Sequence, residues 1–126
     1  MRLLLDTHIF LWYLTASRKL SKSVINRITL ADTVFISAAS IWEAAIKIKQ
    51  GRLQANIDDL IAGISASGFV ELPMTAAHGA LAASLPEYHR DPFDRMLIAQ
   101  AMTEPLKLLT MDSLLCQYSE LVEAIP

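Results

Sequence analysis

MRLLLDTHIFLWYL, the sequence of residues 1–14, gives the first indication of the fold class. Leu3 to Leu5 form a short apolar run of the kind that makes a strand buried on both faces. Asp6 follows directly, and open α/β sheets place their ligand sites at the carboxyl ends of such strands. Asp6 or Thr7 can also cap a helix formed by the apolar segment Ile9–Leu14. This stretch alone leaves a ligand site and a helix cap as alternatives.

Size and composition are typical of a folded chain with a substantial core. The 126 residues suit one domain, spanning 1–126, and 53% of them are hydrophobic while 19% are charged. The net charge of −2 gives no general attraction for nucleic acid, although a bound metal ion or a local basic groove can supply it. The single cysteine, Cys116, excludes an internal disulfide and is expected to be a small core side chain.

No segment of the sequence suits a membrane. Apolar runs stay shorter than the ~18 residues that a spanning helix needs, and Asp6 interrupts the apolar stretch at the N-terminus. That stretch also lacks the small-residue cleavage pattern of a secretory signal. We therefore expect a soluble, cytoplasmic protein.

Strand-type and helix-type segments alternate along the whole chain. Asn56 is placed to cap a helix and Gly68 to end it, and Asp91–Pro92 is a strong helix start. The predicted strands are Leu3–Leu5, Val34–Ile36, Phe69–Leu72, Leu106–Thr110 and Leu121–Ile125. The predicted helices are Ile9–Leu14, Lys22–Ala31, one from Ser37 or Ser40 to Gln50, Ile57–Ser67, Ala76–Ser84, one from Pro92 to Pro105, and Ser113–Tyr118. This alternation predicts a parallel sheet with helices on its faces.

Four acids fall at strand ends or helix starts. Asp6 follows the first strand, Glu43 lies in the first two turns of the helix after the second strand, and Asp112 follows the fourth strand. These positions share one edge of a parallel sheet, because all its strands end there. Asp94, in the first turn of the Pro92 helix, joins them only if that helix begins at the same edge.

Each of these acids also has a purely structural interpretation. Glu43 and Lys47 have the spacing of a surface ion pair on a helix. Asp91 and Asp94 suit a cap followed by an acid that the helix dipole favours, and Asp112 can cap its own helix. Four carboxylates brought together repel one another unless a cation neutralises them, and such oxygen ligands suit Mg²⁺ or Mn²⁺. The set as a whole therefore favours a metal site.

Other common catalytic patterns are missing from the sequence. His8, His78 and His89 lack the spacing of a zinc site, and a single cysteine cannot complete one. We expect His78 to be structural or exposed, and His8 to lie in the core or behind a metal ligand. The four glycines form no phosphate-binding loop.

With these residues assembled, the sequence resembles the PIN domain, and within it the VapC-type toxins of bacterial toxin–antitoxin pairs. The resemblance covers essentially the whole chain, and its third block is the most specific. Its four blocks are LLLDTHIFLWYL (3–14), SAASIWEAAIKIKQGRL (37–53), HRDPFDRMLIAQA (89–101) and LKLLTMD (106–112). Met111 departs from the pattern, because a smaller or polar residue is expected there, but this departure concerns only the rim of the site.

The resemblance implies a three-layer α/β/α fold with a central parallel sheet. It implies an endoribonuclease that depends on Mg²⁺, with Mn²⁺ as the alternative ion. It also implies a homodimer inhibited by a small cognate antitoxin of the VapB type. Asp91 belongs to the family motif but is interpreted as a helix cap. The family's acids, and a hydroxyl near the metal, correspond to Asp6, Glu43, Asp94, Asp112 and Thr110.

The resulting hypothesis is metal-assisted hydrolysis of an RNA phosphodiester bond. Asp6 and Asp94 would hold one Mg²⁺, and Asp112 and Glu43 would complete the cluster directly or through water. The ion lowers the pKa of a bound water and stabilises charge on the phosphate. With Asp6 as a ligand, Thr7 takes the capping role.

Two arginines and three aromatic residues are candidates for contacts with other molecules. Arg90 and Arg95 are candidate contacts to the RNA backbone, or else solvated surface charges. An exposed apolar interface is one explanation for the high hydrophobic fraction of the chain, 53%. Candidates for such a dimer or antitoxin surface are Trp12, Tyr13 and Trp42, with the helices that carry them.

Two rival functions fit parts of the sequence. An aspartyl phosphotransferase of the dehalogenase type also places Asp after its first strand, but that chemistry needs a second acid two residues on, where this chain has His8. A non-catalytic PIN-like binding module would use the acids only to bind a structural ion. The intact set of four acids argues against this second rival.

Overall fold

The computed structural model describes residues 1–126 and confirms the predicted α/β fold, with element bounds that differ from the expected ones by at most two residues. The strands are β1 (Arg2–Leu5), β2 (Thr33–Ser37), β3 (Val70–Leu72), β4 (Lys107–Thr110) and β5 (Val122–Ala124). The helices are α1 (Thr7–Leu14), α2 (Lys22–Leu30), α3 (Ala38–Lys49), α4 (Ile57–Ala66), α5 (Ala76–Ser84) and α6 (Pro92–Thr103), followed by a 3₁₀ helix, Ser113–Gln117. None of these helices combines the length and the apolarity needed to cross a bilayer.

The five strands form one parallel sheet with β1 at its centre, in the order β3-β2-β1-β4-β5. Strand side chains alternate between faces, so Leu3 and Leu5 enter one core and Leu4 the other. The first core lies beneath α1, α2 and α4, and the second beneath α5 and α6. Burial on both faces explains why the first strand is continuously apolar. The sheet between its two sets of helices gives the three layers of the α/β/α fold.

Asp6 caps α1, and Thr7 does not. The Asp6 carboxylate accepts a hydrogen bond from the backbone N–H of Ile9 at 2.9 Å. The expectation that Thr7 takes the capping role is wrong, because Thr7 is the first residue of the helix and its hydroxyl turns towards α3. Cys116 was also expected in the core, but it is exposed, since Leu115 fills the inward position of the 3₁₀ helix.

The segment between α5 and α6 is held in place by one buried cation. Arg95 is 8% exposed, and its guanidinium donates hydrogen bonds of 2.8–3.2 Å to four backbone carbonyls, those of Ala82, Leu85, Pro86 and His89. A buried guanidinium requires such partners. Arg95 was considered as a contact to RNA or as a solvated surface charge, and neither fits, because the residue is buried and its donors are used inside the protein. Arg90, by contrast, is exposed.

We expect Arg95→Ala to lower the free energy of unfolding by about 3 kcal/mol, because several buried carbonyls lose a charged donor. Arg90→Ala is the matched control, since it removes the same charge from an exposed position in the loop before α6. It should change the free energy of unfolding by less than about 0.5 kcal/mol. Urea unfolding followed by circular dichroism measures both values, and equal losses in the two variants would contradict the structural role of Arg95.

Candidate metal centre

The four acids singled out in the sequence line one cavity of about 390 Å³ at the carboxyl edge of the sheet. Asp6 follows β1, Asp112 follows β4, and Glu43 is carried by α3 after β2. The first turn of α6 brings Asp94 to the same cavity, so this helix does begin at that edge. The strand order reverses between β1 and β4, which is where open parallel sheets form their ligand sites.

Both carboxylate oxygens of Asp6 are fixed by the backbone. Oδ1 accepts from the N–H of Ile9 at 2.9 Å, and Oδ2 accepts from the N–H of Met111 at 3.0 Å. Burial raises the pKa of Asp6 above its ordinary value, while these two N–H groups and the side chain of Thr110 act to lower it. Each oxygen keeps a lone pair for a cation, so a cap and a ligand are compatible roles. The Met111 side chain takes no part in this contact.

Glu43 is buried and is oriented from two sides. The Thr7 hydroxyl donates to Oε1 at 2.7 Å, and the ammonium of Lys47 lies 2.9 Å from Oε2. The predicted Glu43–Lys47 pair therefore exists, but it is not an ordinary surface pair, because Glu43 is only 6% exposed. Thr7 links α1 to α3 through this carboxylate.

Asp94 has the most perturbed carboxyl group of the cavity. Burial and the negative charge of Asp91 raise its pKa to about 7; Glu43 and Asp6 act in the same direction, and His89 opposes them. Asp94 accepts no hydrogen bond from the protein that would favour its charged form. A half-buried carboxyl group among other acids is the arrangement that a bound cation stabilises. The all-oxygen donor set of the four acids fits a hard divalent ion such as Mg²⁺ or Mn²⁺.

Asp112 caps the 3₁₀ helix and also faces His89. Its Oδ1 accepts from the N–H of Leu114 at 3.0 Å, and its Oδ2 lies 3.2 Å from Nε2 of His89. The N–H of Asp91 donates to Nδ1 of His89 at 3.1 Å, so the neutral ring carries its proton on Nε2. Atoms of His89, Asp94 and Asp112 that could bind a metal lie within 4.8 Å of one another. The neutral ring presents an N–H, and not a lone pair, to these acids.

His89, which does not line the cavity but lies beside Asp94 and Asp112, is the residue of this cluster that sequence reasoning missed. Its spacing to other residues is not that of a metal site. It does lie two residues before Asp91, the cap of the helix that carries Asp94, and this nearness could have indicated that His89 lies close to the acids. Asp91 caps α6 as expected, accepting from the N–H of Phe93 at 2.9 Å. Thr110 is buried, and its hydroxyl accepts from the N–H of Asp112 at 3.1 Å.

The remaining residues singled out in the sequence lie away from the cavity or at its rim. Neither Arg90 nor Arg95 lines it. His8 does line it and is exposed, so the core position considered for it is wrong, while the position behind a metal ligand stays a prediction. His78 is structural, because its buried ring accepts from the N–H of Thr75 at 3.0 Å and bonds Glu104 at 2.6 Å.

Comparison with known proteins agrees with this architecture. The model of the PIN domain family matches residues 3–121. Ribonuclease VapC22 of Mycobacterium tuberculosis is 31% identical over 111 residues, which cover 86% of this chain and 85% of that protein.

Solved structures share the fold at low sequence identity. VapBC2 from Rickettsia felis, bound to a DNA fragment from its promoter, superposes with a TM-score of 0.74 at 16% identity over 100% of both chains. A toxin–antitoxin complex from Klebsiella pneumoniae gives a TM-score of 0.67 at 19% identity, covering 95% of this chain and 94% of that one. FitAcB from Neisseria gonorrhoeae gives 0.66 at 18% identity, covering 98% and 96%. Because the family model spans most of the chain, and the mycobacterial relative is similar over most of both lengths, this chain belongs to the PIN domain family and is a VapC-type member of it.

Proposed function

We propose that this chain is a metal-dependent endoribonuclease that hydrolyses RNA phosphodiester bonds and acts as the toxin of a toxin–antitoxin pair. The observation that carries the proposal is the convergence of Asp6, Glu43, Asp94 and Asp112 on one cavity. The ribonuclease name of the mycobacterial relative supports the substrate class.

Mg²⁺ is the ion that we propose for this site, with Mn²⁺ as the alternative. Asp6 and Asp94 would hold it, and Asp112 and Glu43 would complete its surroundings directly or through water. When bound, such an ion activates a water molecule and stabilises the negative charge of the phosphate under attack. It also removes the repulsion that otherwise separates an acidic cavity from an RNA backbone.

The residues around the acids fix where three of the four carboxylates point. Backbone N–H groups hold Asp6, the hydroxyl of Thr7 and the ammonium of Lys47 hold Glu43, and the N–H of Leu114 holds Asp112. Preorganised ligands of this kind avoid reorganisation when charge develops on the substrate. Asp94 is the one acid of the set without a protein hydrogen bond, so its orientation depends most on the ion.

The proposed partners are a small antitoxin of the VapB type and a second copy of the chain. Structures of related fold are described as VapBC2 and as a toxin–antitoxin complex, which supports an antitoxin partner. Trp42 is 57% exposed and packs edge-on against Phe93, so it remains a candidate for such an interface. Tyr13 packs against Phe69 with ring centroids 5.1 Å apart, so less of its ring than of the Trp42 ring is available to a partner.

We expect Asp94→Asn to reduce Mg²⁺-dependent cleavage of structured RNA by about 100-fold or more, because a ligand of the ion is lost. Asp94 tests the site more cleanly than Asp6, since Asp6→Asn also disturbs the backbone contact to Met111. The control is Asp58→Asn, which removes one charge from the exposed first turn of α4 and should leave cleavage unchanged.

Initial rates of RNA cleavage, with Mg²⁺ and with a chelator, measure this effect. Cleavage by Asp94→Asn at the wild-type rate would contradict the proposal. RNA left uncut by the wild-type chain in Mg²⁺ would favour the alternative, a non-catalytic binding module with a structural ion.

The pH dependence of stability gives a test that needs no RNA. In the metal-free protein the folded pKa of Asp94, about 7, lies above its ordinary value of 3.8. The contribution of Asp94 to stability is therefore fully present below pH 3.8 and is lost as the pH rises through about 7. We expect Asp94→Asn to have a higher melting temperature than the wild type at pH 8 without metal, and this difference should shrink as the pH falls towards 4.

Thermal melts in chelator across this pH range check the expectation, with Asp58→Asn as the control that should follow the wild type. Melting temperatures of Asp94→Asn and wild type that differ by the same amount at every pH would show that Asp94 does not carry the raised pKa.

A further inference from the structure

A second cavity continues from the acidic one, and the proposed hydrolysis does not use it. It has a volume of about 460 Å³ and lies between α1, the C-terminal half of α3, the loop after α3, and α4. Thr7, His8 and Lys47 line both cavities, so the two are continuous. Its volume falls within the range of ~300–1,000 Å³ that is typical of small-molecule sites. We refer to it as the α1–α4 groove.

The α1–α4 groove has the opposite electrostatic character to the metal centre. No Asp or Glu lines it, although the chain as a whole carries a net charge of −2. The exposed Arg52 supplies positive charge, whereas the ammonium of Lys47 is paired with Glu43. Its apolar lining comes from Leu11, Trp12, Ala44, Leu53, Ala55 and Leu60.

Two aromatic rings mark the side of the groove formed by α1. Trp12 is half-buried, and the ring of the exposed His8 lies 6.1 Å from it at an interplanar angle of 50°. The ammonium of Lys19 lies 5.5 Å from the centre of the Trp12 ring and adds a further positive charge. Aromatic faces beside cationic groups are the combination by which proteins bind single-stranded nucleic acid, since bases stack on rings and phosphates approach cations.

We propose that the α1–α4 groove binds one nucleotide of the RNA next to the scissile phosphate, with its base against Trp12 and His8 and its phosphate towards Arg52. The proposal rests on the ribonuclease function proposed above. It follows from charge complementarity, because an RNA strand that leaves the acidic cavity meets here no carboxylate, the exposed guanidinium of Arg52, and the rings of Trp12 and His8. A protein segment docked in the groove is the competing occupant.

The direct test is a titration that does not depend on catalysis. The indole N–H signals of Trp12 and Trp42 in ¹H–¹⁵N spectra of the whole chain can be followed as each of the four nucleoside 5′-monophosphates is added. We expect the Trp12 signal to shift and saturate while the Trp42 signal stays in place. Ribose 5-phosphate, which lacks the base, should produce no saturable shift of Trp12, and Arg52→Ala should weaken the nucleotide response.

Cleavage kinetics give the second measurement. Trp12→Ala should raise the KM for a short single-stranded RNA roughly tenfold with little change in kcat, as expected for the loss of one base–aromatic contact. Trp12→Phe keeps an aromatic ring and should restore most of the affinity. If Trp12→Ala fails to fold, the wild-type titration and Arg52→Ala still decide the question.

The two proposals can fail separately. A chain that cleaves no RNA but shows nucleotide-dependent shifts of Trp12 would refute the nuclease and support the nucleotide site. A Trp12 signal that none of the four nucleotides moves, in a chain that cleaves RNA, would overturn the nucleotide site and leave the α1–α4 groove to a protein segment.

Discussion

Asp6 connects three parts of the molecule, and the metal centre that we propose depends on that connection. One oxygen accepts from the first turn of α1, and the other accepts from the backbone directly after β4. The backbone N–H of Asp6 in turn donates to Leu109 at 3.0 Å. The ends of the central strand and its neighbour are therefore locked at the point where the sheet order reverses. A carboxylate held by backbone N–H groups on both sides has little freedom to turn away from the cavity.

Four carboxylates in one cavity repel one another, and the four differ in how far the protein compensates their charge. Glu43 is compensated by the Lys47 ammonium, and Asp6 and Asp112 accept backbone N–H bonds. Asp94 has no comparable partner, and its pKa rises to about 7. Because the repulsion acts mainly on Asp94, a cation bound beside it would displace the proton and neutralise the surrounding negative charge. The α1–α4 groove complements this arrangement, since it places positive charge beside the acids and not among them.

The sequence was sufficient for those features that depend on local pattern. The apolar run before Asp6 predicted a doubly buried strand, and the acid that follows it marked the carboxyl edge of the sheet. Cap residues placed the helix starts within two residues of those observed. The directions of side chains that depend on the path of a loop could not be predicted from the sequence. Arg95 is a charged residue directly after a predicted metal ligand, yet the segment before α6 folds over it and supplies carbonyls to its guanidinium. His89 reaches the acids for the same reason, because that segment returns to the sheet edge.

The most direct measurement of the central claim is the position of a bound ion. Anomalous diffraction from crystals of the chain grown with Mn²⁺ should show one peak within coordination distance of carboxylate oxygens of both Asp6 and Asp94, with Asp112 and Glu43 around it. Crystals of Asp94→Asn, prepared in the same way, should lack that peak or show it strongly weakened. A wild-type cavity without a peak, or Mn²⁺ bound only at acids elsewhere on the chain, would contradict the account of these four carboxylates as a metal centre.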